Sequence, residues 1–311
     1  MSPSPRPFVP GLAIGHGHAY GGQTGCTVIL GPFRGAVEVR GLATGSRELG
    51  VLDPHHLVPR ADAIVLTGGS AFGLATADGV MTWLEEQGRG YDTGEVRVPI
   101  VPAVVIFDLR AHATRPDAET GAAACDDARP GWPAEGHVGA GAGATVGKIA
   151  GEEHAMPGGF GAWAMDLGEY RMGAVAVVNA LGDVVDRSGS IVAGARGPEG
   201  FLDSAALLRT GAAGPGEMGD VTAGTNTTLA LVATDAPLSR VALGRLARVA
   251  TNALARCITP VHTPFDGDVV FAVSTAEEER EMSSAELLGL GAAAQHALEE
   301  AILRAVSKDR S

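Results

Sequence analysis

The chain has 311 residues, 45% of them hydrophobic, enough to fill one large core or two ordinary ones. Its 36 acidic against 23 basic residues leave a net charge of −13, which argues against unspecific nucleic-acid binding and against attachment to an anionic membrane, since both need basic surface. Glycine numbers 45, about twice its usual share, and the three scattered cysteines Cys26, Cys125 and Cys257 suit neither a disulfide framework nor a zinc knuckle.

The N-terminal stretch holds three prolines and no apolar signal region, and no apolar run reaches the length of a membrane span. A soluble cytoplasmic protein is expected. In chain order, residues 63–67 read as a short buried strand. Gly68-Gly69-Ser70 then turns into a helix reaching about residue 86, with Phe72, Leu74, Ala75, Val80, Trp83 and Leu84 on a broad apolar face. A second strand region spans 98–109, interrupted by Pro99 and Pro102. Residues 110–140 form a polar excursion with a short helix at 117–128.

Segments 172–178 and 183–186 read as the arms of a hairpin around Asn179-Ala180-Leu181-Gly182. From 187 to 225 the chain is rich in glycine and proline, a candidate exposed linker with one helix near 201–210. Then come a strand at 228–234, a helix at 238–257, a strand at 268–275 and a last helix at 284–307. The last opens with the capping box Ser283-x-x-Glu286. Strands alternating with long apolar helices predict layers of sheet and helix, with no internal repeat.

Gly-Thr-Asn-Thr-Thr at 224–228 delivers the hydroxyl of Thr227 to the mouth of an apolar, β-rich run. That arrangement suits a threonine that attacks the carbonyl of Asn226, cuts its own chain and becomes an N-terminal nucleophile. The freed α-amine, with a pKa of about 7.7–8.0, would be its general base. The plainer reading is an asparagine turn leading into a strand.

Other motifs carry two readings each. Gly68-Gly69-Ser70 follows a strand and opens a helix, but matches neither a dinucleotide fingerprint nor a nucleophile elbow. It packs strand against helix or lines a pocket. The glycine run at 139–148 is no phosphate loop, because position 142 is alanine and Ile149 follows Lys148. Lys148 is then a solvated charge or a lysine that tunes a nucleophile. Asp266-Gly267-Asp268 is either a turn or a pair of carboxylates on one face, able to share a proton or orient an amine. Asn179 adopts a turn or aims its amide N–H at an oxyanion. His16, His18, His55, His56 and His262 lie in Gly- and Pro-rich loops and indicate no third metal ligand.

Taken together, 25–30, 63–74, 101–109, Gly147-Lys148, Asn179, Asn226-Thr227-Thr228 and Asp266-Gly267-Asp268 resemble the L-aminopeptidase/D-esterase family. That family includes β-aminopeptidases and the nylon-oligomer endo-hydrolase. The likeness runs from about residue 10 to 308, in the family's order. It implies an α+β, four-layer αββα sandwich of the N-terminal-nucleophile-hydrolase type. One domain, 1–311, would cut itself into an α chain, 1–226, and a β chain, 227–311.

The resemblance makes Thr227 the nucleophile and Asn179 the oxyanion donor. It has Lys148 bias the Thr227 amine towards neutrality, and Asp266 and Asp268 hold the amine and hydroxyl. Gly69, Ser70 and Phe107 would contact substrate, Phe107 standing where some relatives carry tyrosine. The threonine with two aspartates is closer to the nylon-oligomer hydrolase than to the aminopeptidases, many of which have serine as nucleophile. The expected activity is hydrolysis of small peptides, amino-acid amides or esters, or β- or ω-amino-acid oligomers, by a homotetramer with no metal or organic cofactor. Two alternatives stay open: acyl transfer of the ornithine-acetyltransferase type, separable by partitioning an ester between water and an amine, and a non-catalytic small-molecule binding protein.

Overall fold

In chain order the principal strands are β1 (Ala13–His18), β2 (Gly25–Val39), β3 (Ala61–Thr67), β4 (Ala103–Val105), β5 (Gly159–Leu167), β6 (Tyr170–Asn179), β7 (Asp183–Val185), β8 (Thr227–Thr234) and β9 (Val269–Ser274). The helices are α1 (Thr76–Glu86), α2 (Ala118–Asp127), α3 (Ser204–Thr210), α4 (Arg240–Ala250), α5 (Asn252–Cys257) and α6 (Ser284–Ala305). The computed structural model describes residues 7–109, 114–210 and 225–307.

A nine-stranded sheet runs β5-β6-β8-β9-β2-β3-β4, closes on the short strand Ser46–Arg47, and carries β1 beside β2. Its pivot is β2. The first part of this strand pairs with β3, and Arg34 to Val39 pair with β9. The β2–β3 ladder shifts register between Leu30 and Phe33, across Pro32, which has no N–H to give it. The sheet thereby becomes two halves.

Side chains alternate across each strand, so each half has two faces to bury. Ile29, Phe33, Ile64 and Leu66 from one half meet Val175, Val177, Leu229, Leu231 and Phe271 from the other. Burying each of these contributes on the order of 1.5–3 kcal/mol. On the opposite side of the second half, Ala174, Ala176, Ala230, Val232 and Val270 pack with Leu243, Leu246, Ala294, Leu298 and Ile302 of α4 and α6. On the outer side of the first half, Val28, Leu30, Ala63 and Val65 pack with Ala77, Val80, Leu84 and Ala124 of α1 and α2. The order is helix, sheet, sheet, helix, as expected.

The glycine content serves this layering. A Cβ at Gly161 in β5 would lie 2.1 Å from the Ala301 carbonyl oxygen, so only glycine lets α6 come so close. Among the described residues no helix is long and apolar enough to cross a membrane.

Three expectations are corrected. Segments 172–178 and 183–186 do not form a hairpin: β6 lies between β5 and β8, while β7 pairs with Ile191–Ala193 and Ile258–Thr259. Both faces of β6 are apolar, and only a central strand buries both. The helix at 238–257 is two helices meeting at Thr251, whose hydroxyl bonds back to the Arg248 carbonyl at 2.6 Å. Of the strand region 98–109 only Ala103–Val105 joins the large sheet. The helix expected near 201–210 is α3, whereas 211–224 and 110–113 lie outside the described residues. The sequence reading assigns no strand to β1, β2 or β5, and in β1 and β5 glycines blur the alternation.

Candidate active site

Antiparallel register sets Thr227, the first residue of β8, opposite Asn179, the last of β6. Thr227 shares a strand face with Leu229 and Leu231, and Asn179 with Val177 and Val175. Both therefore stand at the mouth of the space between the two sheet halves. On the other flank β8 runs parallel to β9. Just before β9, Asp266 bridges to Asn226. Asn179, Asn226, Thr227, Asp266 and Asp268 are all buried, and Lys148 is half-buried.

The carbonyl of Asn226, which joins it to Thr227, is held from both sides. The Thr227 hydroxyl lies 2.5 Å from the Asn226 carbonyl oxygen. The Gly267 N–H donates to that same oxygen at 2.9 Å. A donor so placed stabilises negative charge arising on the oxygen when a nucleophile adds to its carbon. The approach leaves no room for a side chain at Gly267, where a Cβ would sit 2.8 Å from Thr227 Oγ1 and 3.1 Å from the Ala43 carbonyl oxygen.

Lys148 leaves the glycine run and reaches across to Asn179. Its Nζ donates to the Asn179 carbonyl at 3.1 Å, to Asn179 Oδ1 at 3.0 Å and to the Thr225 carbonyl at 3.1 Å. Burial pushes its pKa down to about 7, against the opposing pull of Asp266, Glu152 and Asp108. The ammonium thus gives up its proton near neutral pH. Asn179 is fully engaged. Its Nδ2 donates to the carbonyls of Phe107 and Thr225 at 3.1 and 3.2 Å, and its Oδ1 also accepts the Thr145 N–H at 3.1 Å.

The two aspartates have different tasks. Asp266 accepts the Thr263 N–H at 2.6 Å, and its pKa rises to about 6, first through burial and then through repulsion by Asp268. Asp268 accepts the Thr228 N–H at 2.7 Å on one oxygen and the His262 Nδ1–H at 2.8 Å on the other. His262, weighed from sequence only as a metal ligand, thus belongs to the site. Its spacing of six residues from Asp268 carries no sequence signal, and Gly267 reads from sequence as a turn residue.

Gly69 and Ser70 hold a segment that reaches the site. The Gly69 N–H donates to Asp108 Oδ1 at 2.7 Å and the Ser70 N–H to the Ile106 carbonyl at 2.9 Å. The turn thereby pins 106–108, and it is the carbonyl of Phe107 that meets Asn179. His16 and His18 lie on β1, not in a loop. His16 is a satisfied core residue, bonded to Thr27 and to the Ala134 carbonyl, with burial pushing its pKa down to about 4. Among the described residues no three His, Cys, Asp or Glu side chains gather as a metal site.

The profile of Peptidase family S58 matches residues 8–311. An uncharacterised aminopeptidase of Mycobacterium leprae is 40% identical over 331 aligned positions, covering 96% of this chain and 88% of its own. A 6-aminohexanoate-oligomer endohydrolase of Kocuria sp. is 34% identical over 308 positions, covering 95% and 84%. Among solved structures, a β-aminopeptidase of Burkholderia sp. superposes with a TM-score of 0.71 at 21% identity, over 98% of this chain and 88% of that one. The L-aminopeptidase D-Ala-esterase/amidase of Ochrobactrum anthropi, described as a variant of the Ntn-hydrolase fold, also gives 0.71, at 17% identity over 98% and 87%. These two structures show the fold.

Proposed function

The chain belongs to peptidase family S58 and is an amide-bond hydrolase, and on that premise we propose that it cuts itself between Asn226 and Thr227 and then works through Thr227. The supporting observation is the Asn226 carbonyl, approached by the Thr227 hydroxyl and held by the Gly267 N–H. Thr227 Oγ adds to the Asn226 carbonyl carbon and loses its proton. The Asn226–Thr227 C–N bond then breaks, and the departing nitrogen takes up a proton as the new α-amine. Water hydrolyses the resulting ester, leaving a carboxylate on Asn226 and a free hydroxyl on Thr227.

Before that cut, the Thr227 nitrogen is an amide and is no base. Lys148 and Asp266, with pKa values moved to about 7 and about 6, are the groups suited to carry the proton. After the cut the α-amine takes over, its charged form disfavoured by the burial of Thr227. Departure of Thr225 frees one Asn179 amide hydrogen and one Lys148 donor for the next oxyanion. Asp268 keeps the main chain after Thr227 in place.

Turnover repeats the chemistry on a separate substrate through an acyl-enzyme on Thr227. The relatives named aminopeptidase and 6-aminohexanoate-oligomer endohydrolase favour small peptides, amino-acid amides or esters, and β- or ω-amino-acid oligomers as substrates. A cytoplasmic homotetramer is the assembly this reading expects, and light scattering of the purified protein tests the tetramer.

Intact-mass analysis of freshly purified protein beside Thr227→Ala tests the reading. Two chains of about 23 and 9 kDa are expected from the 31.5 kDa precursor, the smaller beginning at Thr227, with the variant whole. A wild type that stays whole, or a variant that is cut at the same bond, refutes it.

A further inference from the structure

His262 has a backbone conformation that only glycine adopts freely, φ 54°. What holds it there is a single carboxylate oxygen. The His262 main-chain N–H and its ring Nδ1 both lie on Asp268 Oδ2, at 3.3 and 2.8 Å. Asp268 is buried, and a buried carboxylate needs donors around both oxygens. Its other oxygen, Oδ1, accepts the N–H of Thr228, the residue after the candidate nucleophile, at 2.7 Å. A carboxylate partner means that Nδ1 carries the hydrogen. Among the described residues the ring makes no other hydrogen bond.

Resting on the reading of Thr227 as nucleophile, we propose that His262 is a positioning residue for that threonine. By gripping one oxygen of Asp268 it turns the other onto the Thr228 N–H. This fixes the Thr227–Thr228 main chain beside Gly267, with Oγ1 aimed at the carbonyl it attacks. His262 touches neither the scissile bond nor the hydroxyl; it acts through Asp268. The left-handed backbone is what lets ring and N–H converge on one atom, so its strain serves a contact at the site.

Two substitutions in the full chain separate this role from a structural one. His262→Asn keeps an N–H donor close to the position of Nδ1 and tolerates the left-handed backbone. His262→Gly suits that backbone better still but has no side-chain donor, keeping only the main-chain N–H on Asp268. Each is followed by intact mass as the precursor cuts itself, with circular dichroism to verify folding. Loss of a hydrogen bond to a charged group slows the Gly variant by about tenfold or more, while the Asn variant stays within a few-fold of wild type. A folded Gly variant that is cut at the wild-type rate overturns the proposal. So does an Asn variant as slow as the Gly variant. Thr227→Ala run in parallel keeps the two readings apart. If it stays whole while His262→Gly matches wild type, only the His262 role fails; if wild type stays whole or Thr227→Ala is cut, the nucleophile reading fails and takes this role with it.

Discussion

Replacing Gly267 by alanine is expected to slow self-cleavage without unfolding the protein. The new Cβ would lie 2.8 Å from Thr227 Oγ1, 3.1 Å from the Ala43 carbonyl oxygen and 3.3 Å from Thr44 Cα. Restoring an ordinary 3.4 Å contact requires the hydroxyl to retreat by about 0.6 Å. The strand itself has little freedom to follow, because β8 is buried along its whole length. The hydroxyl therefore swings away from the Asn226 carbonyl, while the N–H at position 267 stays in place. A misplacement of about 1 Å can lower a rate by roughly a hundredfold, so the cut should slow by about tenfold to a hundredfold. Overpacking adds a stability loss of about 1–3 kcal/mol. The assay is a refolding time course read by intact mass, following release of residues 227–311. Urea unfolding of the same substitution in an uncleavable Thr227→Ala background isolates the stability term. A folded Gly267→Ala variant cut at the wild-type rate would show that attack does not start from this hydroxyl position.

Two predictions concern proton linkage, both measured as urea midpoints in the Thr227→Ala background. The Lys148 pKa falls from 10.5 to about 7 on folding, so between those values the unfolded chain binds more protons. Stability should rise from pH 7 towards 10, and Lys148→Met should remove that share of the rise; equal slopes in both proteins would contradict the burial of this ammonium. The Asp266 pKa rises from 3.8 to about 6, so its contribution is greatest in acid and is lost as pH climbs from about 4 to 6. Asp266→Asn should flatten that acid limb, and an unchanged limb would place the carboxyl in water rather than beside Asp268.

Much of the local order is legible along the chain. The Ser283 hydroxyl and the Glu286 carboxylate form the reciprocal cap read from their spacing, and α6 follows. The β-branched, apolar run after Thr228 is buried strand throughout. Asn226, Thr227, Asp266 and Asp268 stood out because small polar residues interrupt apolar strands only at turns or where they are put to use. Periodicity is ambiguous where it suits different strand partners equally. The apolar run of β6 is as consistent with a hairpin arm as with a central strand, and glycines hide the alternation of β5.

What decides the site is non-local. That Thr227 faces Asn179 depends on register between strands 48 positions apart, and register is chosen by which apolar faces cover each other across the whole sheet. That Lys148 meets Asn179 and Thr225, and that His262 grips Asp268, follows from packed loops with no period of their own. The shifted pKa values of Lys148 and Asp266 exist only once the core closes over them, because loss of water is their leading cause. Sequence alone pointed to most of the candidate residues and to most of the strands and helices, since both are written in residue type and short-range spacing. Tertiary structure decided which of those residues meet, how far apart they stand and which protons they hold, since distance and desolvation are properties of the folded chain.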